Sequence, residues 1–204
     1  MKYLYKTPKL LKWYYPNLIW DITSQEKCVY LTFDDGPTKE YTEWILELLE
    51  KYEAKATFFC LGKNVVECKE EFDLIVNKGH AVGNHTFSHL NGLNKSLLTY
   101  LRDVRKCEEV FKSKLFRPPY GRMSQKQSIA VCKDYKVIMW DVLSGDFDVS
   151  LTGEECAKAV LNNSENGSII VFHDSKKAAE RLKTALPIVL EELSNEGYTF
   201  KIIH

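Results

Sequence analysis

The chain has 204 residues, which allows one domain with a substantial core and leaves little room for a second. Lysine plus arginine equals aspartate plus glutamate at 28 each, so the charge balance indicates neither a nucleic-acid partner nor an acidic tail. No apolar run approaches the length of a membrane span. We therefore expect a single domain over residues 1–204 without a membrane span, whereas the oligomeric state is not encoded in any pattern that we can read.

The six cysteines show no Cys-x-x-Cys spacing, and several lie in apolar runs, where cysteine behaves as a small buried hydrophobe. The amino terminus is interrupted by Pro8, Lys9, Lys12 and Pro16 before a secretory core could form. Reduced cysteines and the lack of a visible export signal predict a cytoplasmic protein, unless an export leader has been removed.

Residues 1–27 carry lysines and aromatic residues without a steady period, which predicts a lead-in with one short helix that packs on the rest of the domain. After it, strand-like and helix-like patterns alternate. The predicted strands are 28–33, 56–61, 80–82, 115–117, 137–140, 168–172 and 198–203, and the predicted helices are about 39–51, 69–78, 93–112, 124–133, 152–162 and 176–194. Thr38 is expected to cap the first of these helices, and Pro187 is expected to kink or interrupt the last. Such alternation predicts an α/β fold with a parallel sheet or barrel.

Polar clusters follow the predicted strands, at the positions where α/β folds gather functional side chains. They are Asp34-Asp35, His85 with His89, Arg117, Asp146 and His173. Adjacent residues that leave a strand point in different directions, so Asp35 can hold a cation while Asp34 accepts a proton beside it. The alternative is that Asp34 to Pro37 is only a turn, since aspartate, glycine and proline are common turn formers.

His85 and His89 are separated by four positions, which places both rings on one face if the segment is a helical turn. With Asp35 they would supply two nitrogens and one oxygen, the donor set of a catalytic zinc site with open positions. The alternative is an accidental pair in which one ring is a buried hydrogen-bonding group.

A metal ion at such a site needs a base and an acid nearby for hydrolysis, and Asp34 and His173 are the candidates. Asp174, beside His173, can hold or charge its ring. Arg117 can orient Asp34 through two hydrogen bonds, and the prolines after it fix a loop that can present a backbone N–H to an oxyanion. Taken alone, Arg117 could equally belong to a surface turn, and His173 could be a hydrogen-bonded histidine at a strand end.

Four segments, in this order, resemble the successive motifs of the polysaccharide deacetylases, carbohydrate esterase family 4. They are Thr32-Phe33-Asp34-Asp35-Gly36-Pro37, His85-Thr86-Phe87-Ser88-His89, Arg117-Pro118-Pro119-Tyr120-Gly121 and Ile170-Val171-Phe172-His173. The resemblance implies a distorted (β/α) barrel that hydrolyses N-acetyl groups of an amino-sugar polymer or oligomer with a divalent metal ion. The implied roles are Asp34 as base, Asp35, His85 and His89 as ligands of Zn²⁺ or a similar ion, Arg117 as the residue that positions Asp34, the Tyr120 amide as oxyanion donor and His173 as acid. We also expect Pro118, Phe147 and Val171 to contact the carbohydrate.

Between the third and the fourth of these segments, the family has one more motif, and the residues at its position here depart from the family's pattern. The family usually has an aspartate a few residues after a tryptophan and then Asp-Trp, whereas this chain has Leu143 and Phe147 at the first and last places. The acidic partner of Arg117 therefore stays open, with Asp146 as the first candidate for an acid behind the site and Asp141 as the second. Val171 replaces the usual leucine, which still leaves an apolar wall for an acetyl methyl group.

Two rival functions remain from the sequence. One is a catalytically silent relative that binds carbohydrate or metal, although such a protein would have no need of both Asp34 and His173. The other is hydrolysis of a non-sugar amide or an ester at the same metal centre. The aromatic rings of the first twenty residues can cap the core or line a sugar site, and the composition favours capping of the core.

Overall fold

The structure, a computed structural model, describes residues 3–204. The strands in that range are β1 (Cys28–Asp34), β2 (Ala56–Cys60), β3 (Ala81–Asn84), β4 (Leu115–Phe116), β5 (Lys136–Val137), β6 (Val142–Leu143), β7 (Ile169–His173) and β8 (Thr199–Phe200). The α-helices are α1 (Lys9–Tyr14), α2 (Thr42–Lys51), α3 (Gly62–Glu67), α4 (Lys69–Asn77), α5 (Leu97–Val110), α6 (Gln125–Val131), α7 (Gly153–Leu161) and α8 (Ala179–Asn195). Within the described range, none of these helices is both long and apolar enough to cross a lipid bilayer.

The strands form one parallel sheet in the order β5-β4-β3-β2-β1-β7-β6, with β8 paired to the start of β1. Residues 138–141 alone connect β5 to β6, which lie at opposite ends of that order. The connection can span at most about 17 Å, whereas six strand spacings in a flat sheet would measure about 29 Å. The sheet must therefore curl, and the distorted α/β barrel predicted from the sequence is confirmed.

All seven residues of β1 are buried, because this central strand is covered on both faces. Val29, Leu31 and Phe33 pack in the cluster that the sheet shares with the surrounding helices. Cys28 and Tyr30 point the other way, into a smaller cluster with side chains of β2, β4 and β7. None of the six cysteines, all of which lie in residues 3–204, forms a disulfide.

Two predicted helix starts are wrong. The helix predicted from residue 39 is α2, which begins at Thr42. The Thr38 hydroxyl donates to Asp174 instead of capping this helix. The helix predicted from residue 93 is α5, which begins after Ser96, whose side chain accepts from the backbone N–H of Thr99. Gly92–Asn94 form a separate 3₁₀ turn. A side-chain cap thus marks the start of α5, whereas α2 begins after Tyr41 without one.

Other elements departed from the sequence pattern or were not predicted. Neither α3 nor β6 was predicted, because six and two residues are too few to display a clear period. Pro187 was expected to kink or interrupt the last helix, yet α8 continues through it. The buried Leu186, Val189 and Leu190 of α8 pack into the main core, and this packing offsets the hydrogen bond that a proline cannot make.

The amino-terminal segment lies along β6. Thr7 donates its backbone N–H to the carbonyl of Asp141 at 2.8 Å, and Leu143 donates to the carbonyl of Tyr5 at 2.9 Å. Lys6 and Lys12 each place their Nζ 2.6 Å from the buried carboxylate of Asp141. Two lysines on one fully buried carboxylate fasten this segment to the sheet.

Candidate active site

The polar residues that follow the strands meet at one edge of the sheet. Asp34 ends β1 and is the register partner of His173 at the end of β7. His85 directly follows β3, and Arg117 directly follows β4. Because the carboxyl ends of parallel strands lie at the same edge, these four residues converge although they are far apart in the sequence.

Asp34 is the last residue of β1, and Asp35 lies in the bend that follows it. Asp34 points to the same side of β1 as Thr32, and both accept a hydrogen bond from Nη1 of Arg117 at 2.7 Å. Asp35 has a φ of 77°, and Asn64 donates to its carbonyl at 2.7 Å. The segment Asp34 to Pro37 is thus the end of β1 followed by a bend, and this bend directs the second carboxylate towards the histidines.

The side chains of Asp35, His85 and His89 form a cluster in which one ligand atom of each lies within 4.8 Å of the others. Nε2 of His89 is 3.1 Å from Oδ1 of Asp35, and Nε2 of His85 is 3.7 Å from the same oxygen. That oxygen is buried and makes no hydrogen bond of acceptable geometry within residues 3–204. A buried carboxylate oxygen without a donor, facing two imidazole nitrogens, fits a divalent cation.

The protonation states suit metal binding. Burial lowers the pKa of His85, so the ring is neutral. Its Nδ1 donates to the carbonyl oxygen of Arg117 at 2.8 Å, which leaves the lone pair of Nε2 free for a metal ion. Burial would raise the pKa of Asp35, but the imidazole of His89 and the two histidines beyond it lower that pKa instead, so the carboxylate is ionised.

Residues 85–89 do not form a helical turn, the condition under which the spacing alone would place both rings on one face. The segment is a loop in which Thr86 has a φ of 66° and His89 a φ of 61°. The side chain of Asn84 accepts from the N–H of Thr86, and the Thr86 hydroxyl accepts from the N–H of His89. Side chains that capture backbone donors hold this loop, and they bring the two imidazoles to ring centroids 5.2 Å apart without a helix.

Arg117 is fully buried and pairs directly with Asp34. Its other donors reach the carbonyl oxygens of Ile138 at 3.1 Å and Met139 at 2.8 Å. Burial lowers the pKa of the guanidinium and the charge of Asp34 opposes that effect, but an arginine stays charged in either case. The guanidinium therefore fixes the orientation of Asp34.

The expectation that Asp146 or Asp141 is the acidic partner of Arg117 is wrong. Asp141 binds the lysines of the amino-terminal segment, and Asp146 binds His173. The only carboxylate within 4.0 Å of the Arg117 guanidinium, among residues 3–204, belongs to Asp34. Leu143 can replace an acid without leaving Arg117 unpaired, because Asp34 balances its charge and Thr32 and two backbone carbonyls accept three further hydrogen bonds from the guanidinium.

His173 is held by Asp146. The sequence suggested Asp174 for this role, and that suggestion is wrong. Oδ1 of Asp146 lies 2.7 Å from Nδ1 of His173, and Oδ2 accepts the His173 backbone N–H at 2.8 Å. Burial would lower the pKa of His173, but the charge and hydrogen bond of Asp146, with smaller contributions from two further aspartates, raise it to about 9. The ring is therefore protonated at neutral pH and can donate a proton.

Asp174 faces away from His173. Its carboxylate accepts from the hydroxyls of Thr38 at 2.7 Å and Thr42 at 2.5 Å, and its backbone N–H donates to the carbonyl of Asp34. A Cβ added at Gly36 would lie 2.4 Å from Oδ2 of Asp174, so a side chain at this position would collide with the carboxylate. Burial raises the pKa of Asp174 to about 6. This carboxylate therefore holds the segment that follows the bend at Asp35.

A cavity of about 680 Å³ opens over the site. Asp34, Asp35, His85, His89 and His173 all line it. Of the residues expected to contact a carbohydrate or an oxyanion, Tyr120, Phe147 and Val171 line the cavity as well, whereas Pro118 is buried and lies outside the lining. Tyr120 has a φ of 60°, and its ring lies 4.6 Å from that of His89.

Further lining residues were not selected as site residues from the sequence. They are Tyr3, Arg122, Trp140, Leu143, Ser175 and Lys177. Arg122 directly follows one motif and Ser175 lies two residues after another, so their proximity in the sequence could have indicated them. Tyr3 is remote from every motif, and only the aromatic richness of the amino terminus pointed to it.

A curled parallel α/β sheet that presents a two-histidine, one-aspartate cluster, with a separate carboxylate and a separate protonated imidazole beside it, defines a hydrolytic metalloenzyme. A family profile described as polysaccharide deacetylase matches residues 21–139. The chain belongs to this family, as the motifs in its sequence indicated.

Named relatives agree with that assignment. A peptidoglycan-N-acetylglucosamine deacetylase of Bacillus cereus is 32% identical over 188 residues, which covers 89% of this chain and 88% of that protein. PdaC of Bacillus subtilis, a peptidoglycan-N-acetylmuramic acid deacetylase, is 29% identical over 183 residues and covers 87% of this chain, but the match spans only 38% of PdaC.

Solved structures show the same fold. A peptidoglycan N-acetylglucosamine deacetylase aligns with a TM-score of 0.88 and 30% identity over 95% of this chain and 94% of that chain. A pseudoenzyme of carbohydrate esterase family 4 from Bacillus anthracis aligns with a TM-score of 0.77 and 27% identity over 91% of this chain and 66% of that chain. Because a pseudoenzyme shares the fold, catalysis has to be argued from the site residues.

Proposed function

We propose that this chain removes N-acetyl groups from an amino-sugar polymer or oligomer of the peptidoglycan or chitin type, with a divalent metal ion, Zn²⁺ by preference. The observation that carries the proposal is the metal-ligand cluster of Asp35, His85 and His89 in one cavity with Asp34 and His173, which are paired with the buried Arg117 and Asp146. The peptidoglycan substrates named for the relatives from Bacillus support it.

Asp35, His85 and His89 would hold the ion. When bound there, a divalent cation supplies Lewis acidity that polarises the acetyl carbonyl and lowers the pKa of water. Two nitrogen donors and one oxygen donor suit Zn²⁺ better than Mg²⁺ or Ca²⁺, which prefer oxygen ligands.

The protein residues supply the proton transfers. Asp34, oriented by Arg117, accepts the proton of the attacking water. His173, protonated because of Asp146, donates a proton to the nitrogen of the amino sugar as the bond to the acetyl group breaks. The backbone amide of Tyr120 would donate to the developing oxyanion, and Val171 and Leu143, which line the cavity as Tyr120 does, would provide an apolar wall for the acetyl methyl group.

Acetate release tests the proposal. Purified protein is incubated with N-acetylglucosamine oligomers and with isolated peptidoglycan, with and without a chelator. We expect acetate from at least one amino-sugar substrate, loss of the reaction on chelation and recovery on addition of Zn²⁺. Release from simple esters or non-sugar amides alone would favour the second rival, and binding of oligomers without any release would favour the silent relative.

His85→Ala is expected to remove most of the bound metal, because one of three protein ligands is lost. Elemental analysis of wild-type and variant protein, purified identically, measures the metal content per chain. His204→Ala is the matched control, since this histidine is exposed at the carboxyl end and should leave the metal content unchanged. Full metal occupancy in His85→Ala would rule out His85 as a ligand.

Asp146→Asn is expected to move the alkaline limb of the pH–rate profile to lower pH. The wild-type limb follows His173, which donates only while protonated and loses its proton near pH 9. Without the carboxylate charge, the pKa of His173 falls towards the ordinary histidine value of about 6.5. The variant is therefore expected to lose activity relative to the wild type mainly between these two pH values. Measurement of kcat for both proteins from pH 5 to pH 10 reveals the shift. An unchanged alkaline limb would mean that another group is the acid.

The cytoplasmic location expected from the sequence stays a prediction. It stands in tension with a cell-wall polymer as substrate, which lies outside the membrane. Fractionation of cells that produce the native protein, followed by immunodetection, tests the location directly.

A further inference from the structure

We propose that the amino-terminal segment forms an additional carbohydrate subsite, in which Tyr3 packs against a sugar that lies beyond the direct neighbour of the one that is deacetylated. The inference rests on the proposed function, because it requires a polymer or oligomer in the cavity. It goes beyond the catalytic motifs, since Tyr3 lies outside all of them and outside the residues 21–139 that match the family profile.

A row of rings leads from the catalytic centre to Tyr3. The ring of Phe147 meets that of His173 edge-on, with centroids 5.3 Å apart. The ring of Tyr3 in turn meets Phe147 edge-on at 5.5 Å. All three residues line the cavity, as does Lys177, whose Nζ lies 5.9 Å from the centre of the Phe147 ring. The cavity therefore extends from the proposed acid along an aromatic wall that the amino-terminal segment completes.

Tyr3 is held in this position. Its hydroxyl donates to Oδ2 of Asp148 at 2.8 Å, which fixes the polar tip of the side chain. Two residues further on, the carbonyl of Tyr5 accepts from Leu143 of β6, and the buried Asp141 holds Lys6 at 2.6 Å. An aromatic side chain that is already ordered loses little conformational freedom when a ligand binds, so its contact area contributes to affinity.

The expectation that the amino-terminal rings cap the core does not apply to Tyr3. Trp20 does belong to a core cluster, but Tyr3 belongs to none of the hydrophobic clusters that residues 3–204 form. A half-buried ring on a cavity wall suits the C–H face of a pyranose, which is apolar and packs against aromatic rings, while the hydroxyl groups of the sugar stay in water.

Steady-state kinetics on a short and a long substrate tests the subsite. The N-acetylglucosamine dimer and pentamer are compared for the wild type, Tyr3→Ala and Tyr3→Phe. We expect Tyr3→Ala to raise KM for the pentamer about fivefold more than KM for the dimer, because only the longer substrate reaches the aromatic wall. Tyr3→Phe keeps the ring and is expected to retain most of the preference for the pentamer.

Tyr14→Ala is the matched control, because this ring lies exposed on α1 and outside the cavity lining. Its kinetic constants should equal those of the wild type. Equal changes for dimer and pentamer in Tyr3→Ala, or no change for either, would overturn the subsite. Calorimetric titration with the pentamer gives a second measurement: weaker binding to Tyr3→Ala supports the subsite, and wild-type affinity contradicts it. If the wild type binds the pentamer but releases no acetate, the proposed function fails while the titration still decides the role of Tyr3.

Discussion

Asp34→Asn is expected to reduce kcat by about two to four orders of magnitude, the usual contribution of a general base, while the protein keeps its metal. Asparagine has nearly the same shape, and its side-chain oxygen can still accept the hydrogen bond from Nη1 of Arg117. Its amide, however, cannot accept a proton from water. Asp35, His85 and His89 are unchanged, so the metal-ligand cluster remains complete.

Two measurements decide this prediction. Acetate release under saturating substrate gives kcat, and elemental analysis of the same preparation gives the metal content. Asp134→Asn is the matched control, because the same change is made at an exposed position. Undiminished turnover in Asp34→Asn would transfer the role of base to another residue, and loss of the metal would mean that Asp34 is a ligand rather than the base.

Arg117→Met is expected to lower the free energy of unfolding by about 3–5 kcal/mol, the range found when one partner of a buried ion pair is removed. Methionine fills a similar volume but leaves the carboxylate of Asp34 buried without a counter-charge. The carbonyls of Ile138 and Met139 lose their donors as well. Urea denaturation followed by circular dichroism measures the change.

Arg117→Lys separates charge from geometry. A lysine keeps the positive charge, but its single ammonium group cannot reach all four acceptors of the guanidinium, so an intermediate loss of stability and a lower kcat are expected. Arg105→Met serves as the control at an exposed position and should change the free energy of unfolding by less than about 0.5 kcal/mol. Wild-type stability of Arg117→Met would show that the pair does not support the fold.

The fold class could be predicted because strands and helices of sufficient length display their period in the sequence. The apolar run that becomes β7 reads as a strand covered on both sides, and the structure places it beside β1 in the centre of the sheet. By contrast, β6 has two residues, and its existence depends on pairing with Ile170 and Val171, which are distant in the chain. A two-residue strand carries no period, so only its partner defines it.

The site residues could be found because Asp34, Asp35, His85, His89, Arg117 and His173 each follow a predicted strand. Their contacts could not be assigned so well. The sequence placed Asp174 next to His173, but adjacent residues at a strand end point to opposite sides, and Asp174 binds two threonines instead. The acid that holds His173 comes from the loop after β6, 27 residues earlier in the chain.

An alternating α/β chain with metal-ligand, base and acid candidates at strand ends follows from the amino-acid sequence alone, because residue type and local period are properties of short segments. The tertiary structure decided which candidates touch: Arg117 with Asp34, Asp146 with His173, and Tyr3 on the wall of the cavity. The physical reason is that contacts between distant segments depend on the curl of the sheet and on loops with left-handed residues such as Asp35 and His89. No local pattern in the sequence encodes either of these.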